Sequence, residues 1–141
     1  AAYAQSLDSG QTAAILRAAT DWHGTLVEED SGTLVLPTDA LIRDMVIGRL
    51  GGEDTGRLAL RFHGELAAML AACCERIREA TGLTTCALSG GVFQNSLLAT
   101  ACTTLLQAQG FKVLRHSLVP PNDGGLALGQ AVMAAWHYSH S

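Results

Sequence analysis

Residues 84–95 read TTCALSGGVFQN: a short apolar run from Thr84 to Leu88, then Ser89-Gly90-Gly91, then the opening of a periodic apolar segment. The run has strand length, and the glycine pair behind it marks a sharp turn. Beyond the turn, Leu97, Leu98, Ala101, Cys102, Leu105 and Leu106 recur at helical spacing and predict one apolar face that closes at Gly110. Phe111 to His116 reads as a second strand, Pro120 to Gly125 as a loop, and Leu126 to Trp136 as a final Ala-rich helix. Strand, helix, strand, helix in that order predicts an α/β unit with a parallel strand pair and a right-handed crossover. Both glycine-bearing loops then lie at the carboxyl ends of neighbouring strands, the edge where open α/β sheets bind ligands. Two loops distant in sequence are thus expected to line one crevice.

The chain before this unit is mainly helical. Leu58, Phe62, Leu66, Met69, Leu70, Cys73 and Ile77 form a stripe for a long helix with Thr55 as N-cap and Gly82 as C-cap. Arg57, Arg61, Glu65, Glu75, Arg76 and Glu79 fall off the stripe and are expected to face solvent. A preceding helix starts after Pro37 with Thr38 or Asp39 as cap. It carries Leu41, Ile42, Met45, Val46, Arg49 and Leu50 on one face and ends at Gly51-Gly52. Thr25 to Leu36 alternates around Asp30-Ser31-Gly32, as a hairpin would, and Gln11 to Ala19 has the spacing of a short helix. The expected organisation is one lobe over 1–141: an N-terminal part at 1–36, a helical part at 37–82, a β-α-β-α unit at 83–136 and a tail at 137–141.

At 141 residues the chain is long enough for one core of ordinary size, and 48% hydrophobic against 16% charged residues describes a folded globule. The net charge of −4 and the scattered Lys and Arg argue against nucleic-acid binding. No apolar run approaches membrane-span length, and no charged-then-apolar leader opens the chain. Cys73, Cys74, Cys86 and Cys102 include no C-x-x-C pair, so they read as small buried hydrophobes in a reducing compartment, with the cytoplasm as the expected location.

Glycines between a strand and a helix let the backbone approach a ligand, and a helix start favours an anion, so a phosphate is the natural guest of Ser89-Gly90-Gly91. A tight turn without a ligand is the plain alternative; the segment is neither a P-loop nor a G-x-G-x-x-G fingerprint. The amide of Asn95 can donate and accept, suiting a ribose, phosphate or base edge, or it is an exposed polar residue near a helix start. Asp123 precedes two glycines and could hold a hard metal ion, order a ligand hydroxyl or cap the last helix. His63 lies near the stripe of the long helix and reads as a core or surface residue. His116 ends the second strand and could approach the crevice, while His137 and His140 fall in the tail.

Ser89-Gly90-Gly91-Val92-Phe93-Gln94-Asn95, followed by the run from Val119 to Ala131 with Pro120-Pro121-Asn122-Asp123-Gly124-Gly125 at its centre, resembles the paired C-terminal signatures of the HypF family. Arg61-Phe62-His63 also resembles that family's pattern, and the similarity runs from about Pro37 to Ala135. The resemblance implies the second lobe of an actin-like, ribonuclease-H-like ATPase fold. It further implies a carbamoyltransferase that uses ATP and carbamoyl phosphate, holds carbamoyl adenylate and passes the carbamoyl group to the C-terminal cysteine of a HypE-type acceptor, on the way to the cyanide ligands of [NiFe]-hydrogenase. By the same resemblance Ser89, Gly90, Gly91, Asn95 and Gly124 contact the nucleotide, and Asp123 is one ligand of a divalent metal.

The sequence departs from the family in having no His-x-x-x-His pair, acylphosphatase-like segment, paired C-x-x-C module or carbamoyl-phosphate-activating domain. A C-terminal piece is therefore expected, partnered by the remaining lobe and domains of the same protein and inactive alone. A lobe of a small-molecule O-carbamoyltransferase and a non-catalytic interaction domain are the alternative readings.

Overall fold

A computed structural model describes residues 9–29 and 32–140. Seven elements frame the lobe's helices and paired strands: α1 (Ser9–Thr20), α2 (Thr38–Leu50), α3 (Thr55–Thr81), β3 (Thr85–Leu88), α4 (Ser96–Ala108), β4 (Lys112–Arg115) and α5 (Leu126–Ser139). Between α1 and α2 lies a small antiparallel hairpin of β1 (Val27–Glu28) and β2 (Leu34–Val35). Gly32, at φ +77°, closes the turn by donating to the Glu29 carbonyl. The expected hairpin is present; Asp30 and Ser31, named for its turn, lie outside the described residues.

β3 and β4 pair in parallel, with Thr85 opposite Lys112 and Leu88 opposite Arg115, as the strand–helix–strand order predicts. The core lies between α1, α3 and α4, where Ile15, Ala67, Leu98, Ala101 and Cys102 are buried together. A second cluster of Ala71, Leu106 and Phe111 carries that packing to the sheet. Gly64 sets the approach of α1 to α3, because a Cβ there would sit 2.5 Å from the Ile15 carbonyl oxygen and 2.7 Å from the Ala18 Cβ.

Several expectations need correction. The cap of α3 is Asp54, whose carboxylate accepts from the Arg57 N–H at 3.0 Å, and not Thr55. α2 starts directly after Pro37 with no side-chain cap bond, so neither Thr38 nor Asp39 serves. Only Leu41 of its expected apolar face is buried, while Ile42, Val46 and Leu50 are exposed, because α2 meets α3 along one edge alone.

Off-stripe charges of α3 are not all solvated either. α1 and α2 both pack along α3, so Arg61 lies within an ion-pair group of Glu53 at 3.3 Å and Glu65 at 3.7 Å. Burial raises the Glu65 carboxyl above its ordinary range, against the lowering effect of Arg61. α5 reaches Ser139, beyond the expected Trp136. His137 is therefore helical, and His140 stacks on Trp136 with ring centroids 4.8 Å apart. All four cysteines are free, with Cys102 buried and the other three partly buried.

Candidate functional site

The turn after β3 holds its shape through one backbone conformation. Gly90 sits at φ +101°, a region that L side chains rarely adopt, so the chain can reverse there only with glycine. Gly91–Gln94 then form a single 3-10 turn before α4 begins at Ser96. The glycines thus open a short 3-10 turn and not the helix itself. The first-turn N–H groups of α4 are occupied: Asn95 Oδ1 accepts from Leu97 at 3.0 Å and Leu98 at 3.2 Å. Asn95 is the N-cap of α4, neither inside the helix nor a free polar group.

The second loop is built by its own contacts. Asn122 Oδ1 accepts from the Gly124 N–H at 3.0 Å, and Asp123–Gly125 form a 3-10 turn leading into α5. A Cβ on Gly125 would lie 3.0 Å from the Pro120 carbonyl oxygen, and one on Gly124 would lie 3.1 Å from Asn122 Oδ1. These two glycines answer to the loop's tight fold. The cap of the turn is Asn122, so the capping alternative for Asp123 falls away. Asp123 is exposed, and among the described residues no hydrogen bond or ion pair engages its carboxylate.

The two loops meet. The Gly90 N–H donates to the Pro121 carbonyl at 2.8 Å, extending the contact between β3 and β4 past their carboxyl ends. A Cβ at Gly91 would touch only the Asn122 Cβ at 4.0 Å, and one at Gly90 would meet nothing, so the space over the first loop is open. Ser89 Oγ lies 2.9 Å from His116 Nε2, one residue past each strand end. Ser89, Gly90, Gly91, Asn122 and His116 therefore gather at one edge of the parallel pair.

Two histidines join this neighbourhood: His116, whose place at the strand end already allowed it to approach the crevice, and His63, which read as a core or surface residue of the long helix. His116 reaches Ser89, and His63 Nε2 lies 2.8 Å from Asn95 Nδ2 although the residues are far apart in sequence. The signals were the position of His116 at the strand end and of His63 beside the stripe of α3. Neither position alone names its partner.

Among the described residues, no three His, Cys, Asp or Glu side chains come together to hold a metal ion. The free carboxylate of Asp123 fits a single coordination position. Two grooves lie elsewhere: one of about 490 Å³ between α1 and α3, lined by Arg17, Arg57 and Arg61, and one of about 540 Å³ beside the hairpin. Neither includes a residue of the two glycine loops. No described helix is long and apolar enough to cross a membrane.

Residues 4–130 match the family described as carbamoyltransferase, Kae1-like domain, second subdomain. The chain is 48% identical over 84 residues to carbamoyltransferase HypF of Rhodobacter capsulatus, covering 60% of this chain and 11% of that protein. To carbamoyltransferase HypF2 of Cupriavidus necator it is 41% identical over 81 residues, 57% of this chain and 10% of that one. It thus spans about a tenth of the length of these relatives.

A crystal structure of full-length HypF in its phosphate- and nucleotide-bound form superposes with a TM-score of 0.74 at 32% identity, over 80% of this chain and 15% of that one. HypF of T. kodakarensis shares the fold, with a TM-score of 0.65 at 20% identity over 89% of this chain and 16% of that one. The α/β lobe expected from the sequence is the one these structures contain. The chain belongs to the HypF carbamoyltransferase family, as the second subdomain of its Kae1-like domain.

Proposed function

We propose that this subdomain supplies one wall of a carbamoyltransferase active site that binds ATP-derived carbamoyl adenylate. The observation that carries the reading is the bond from the Gly90 N–H to the Pro121 carbonyl. It joins two loops from neighbouring parallel strands into one edge, where α/β folds take nucleotides. Gly91 supports it: its position has room for a side chain in this chain, as a surface kept bare for a ligand would. The related full-length HypF crystallised with phosphate and nucleotide offers the matching ligand class.

In this reading the backbone at Gly90 and Gly91 lies against the nucleotide, with Ser89 and Gly124 at its border. Asn95 offers the remaining N–H of its amide to the adenylate. Asp123 donates one oxygen to a divalent metal whose other ligands belong to the rest of the protein. Such an ion, when bound, would neutralise phosphate charge and polarise the carbamoyl carbonyl. The acceptor is the C-terminal cysteine of a HypE-type protein, and the other lobe and domains of the full-length protein complete the site.

The test uses the full-length protein. Asp123→Ala should reduce carbamoyl transfer by about a hundredfold or more, while the melting temperature stays within about 2 °C, because the exposed carboxylate supports nothing else. Transfer at the wild-type rate in Asp123→Ala would remove Asp123 from the site.

A further inference from the structure

The side-chain amide of Asn95 is fixed in one orientation. Its Oδ1 accepts from two backbone N–H groups of α4, so the atom 2.8 Å from His63 Nε2 is the amide nitrogen, which can only donate. His63 Nε2 is therefore the acceptor and carries no proton. The proton of the ring sits on Nδ1, and Nδ1 lies 2.6 Å from the Ala59 carbonyl, which accepts it. Each donor and acceptor role from the Ala59 carbonyl through the His63 ring and the Asn95 amide to the first turn of α4 follows from hydrogen-bond chemistry. The Phe62 ring meets His63 edge-on, with centroids 5.7 Å apart at 84°.

We infer that His63 is a positioning residue that acts through Asn95, holding the amide so that its second Nδ2–H is presented to the nucleotide. This rests on the reading of Asn95 as a nucleotide contact. A cap alone would need only one oxygen, and Ser or Asp would supply it. Only an amide both caps α4 and retains donors, and a donor is useful to a ligand only when its direction is fixed. His63 fixes it from α3, so the long helix sets the geometry of a residue outside it. No covalent step is involved.

The experiment measures kcat and KM for carbamoyl transfer in the full-length protein, with ATP and carbamoyl phosphate as the probes. Asn95→Ala and His63→Leu should each lower kcat/KM by about tenfold, the size of one directed hydrogen bond to a ligand. The double variant should be no worse than the weaker single one, because both remove the same contact. His63→Gln, whose carbonyl can accept from Asn95, should return to within about threefold of wild type.

An unimpaired Asn95→Ala would overturn the site reading and this inference with it. An impaired Asn95→Ala beside a silent His63→Leu, or effects that multiply in the double variant, would overturn the inference alone. Long-range ¹H–¹⁵N spectra of the histidine-labelled protein provide a check independent of folding in the variants. His63 should carry its proton on Nδ1, and a proton on Nε2 would break the chain of bonds whatever the kinetics.

Discussion

Helices α4 and α5 have much in common as sequences and almost nothing as environments. Each follows a glycine-bearing loop at the carboxyl end of a parallel strand, and each is short, Ala-rich and apolar. α4 buries Leu98, Ala99, Ala101, Cys102 and Leu106 against α1, α3 and β4. α5 buries nothing: Val132, Met133 and Trp136 are 60%, 74% and 62% exposed, and its main contacts are with the turn that leads into it. An apolar helix is thus only a demand for cover. Whether the demand is met depends on what surrounds it, and for α5 no described element supplies cover.

The contrast can be broken most sharply by truncation. Leu106→Ala should cost about 3 kcal/mol in denaturant unfolding, because Leu106 is fully buried between α3 and the sheet. Val132→Ala on α5 should stay within about 0.5 kcal/mol. A comparable cost at Val132 would mean that α5 packs in solution. Glycine substitutions sharpen the same point at smaller size. Gly64→Ala forces a methyl against the backbone of α1 and should cost about 1–3 kcal/mol. Gly129→Ala meets open space on α5 and should raise stability slightly, by at most about 1 kcal/mol of helix propensity.

Capping comes next. Asn95→Ala should lower stability by about 1 kcal/mol, read as a drop in melting temperature, since α4 loses the oxygen that takes two of its first N–H groups. α5 has Gly125 at its N-cap position and no side-chain cap bond, so no single substitution can uncap it in that way.

The smallest difference shows only in alkali. Burial pushes the Cys102 thiol of α4 up from about 9 to about 11, and the Cys74 thiol of α3 up to about 12 with a bond to Cys86 adding to it. The unfolded chain would lose these protons near pH 9, whereas the folded chain keeps them. Stability should therefore be unaffected below about pH 8 and fall as pH rises from about 9 toward 11. Cys102→Ala should flatten that fall in melting temperature, and a slope equal to wild type would count against it. α5 has no cysteine to contribute.

Periodicity and turn chemistry made the parallel unit legible. Gly82 and Gly110 stop helices at positive φ, and the apolar run of Thr85–Leu88 pairs as its length suggests. The hidden parts were those decided by neighbours. The face of α2 around Ile42 and Val46 looks like a core face, but no described element covers it. Glu65 looks like a solvent residue, yet α1 and α2 flank its helix and the Arg61 group takes it in.

For the site, the meeting of the loops followed from topology. The pairings of His63 with Asn95 and His116 with Ser89 did not, because such bonds cross from one element to another at distances no spacing encodes. The role of Asn122 as the cap of the second turn was masked by Asp123, an equally good capping residue next door.

The bond from Gly90 to Pro121 also has a kinetic meaning. Glycine amides on exposed loops normally trade their hydrogen for deuterium quickly, but this one can do so only when both loops part. The crevice should therefore open as one unit or stay shut. A guest that stiffens either loop would slow exchange at Gly90, turning a single amide into a clock for occupancy of the whole edge.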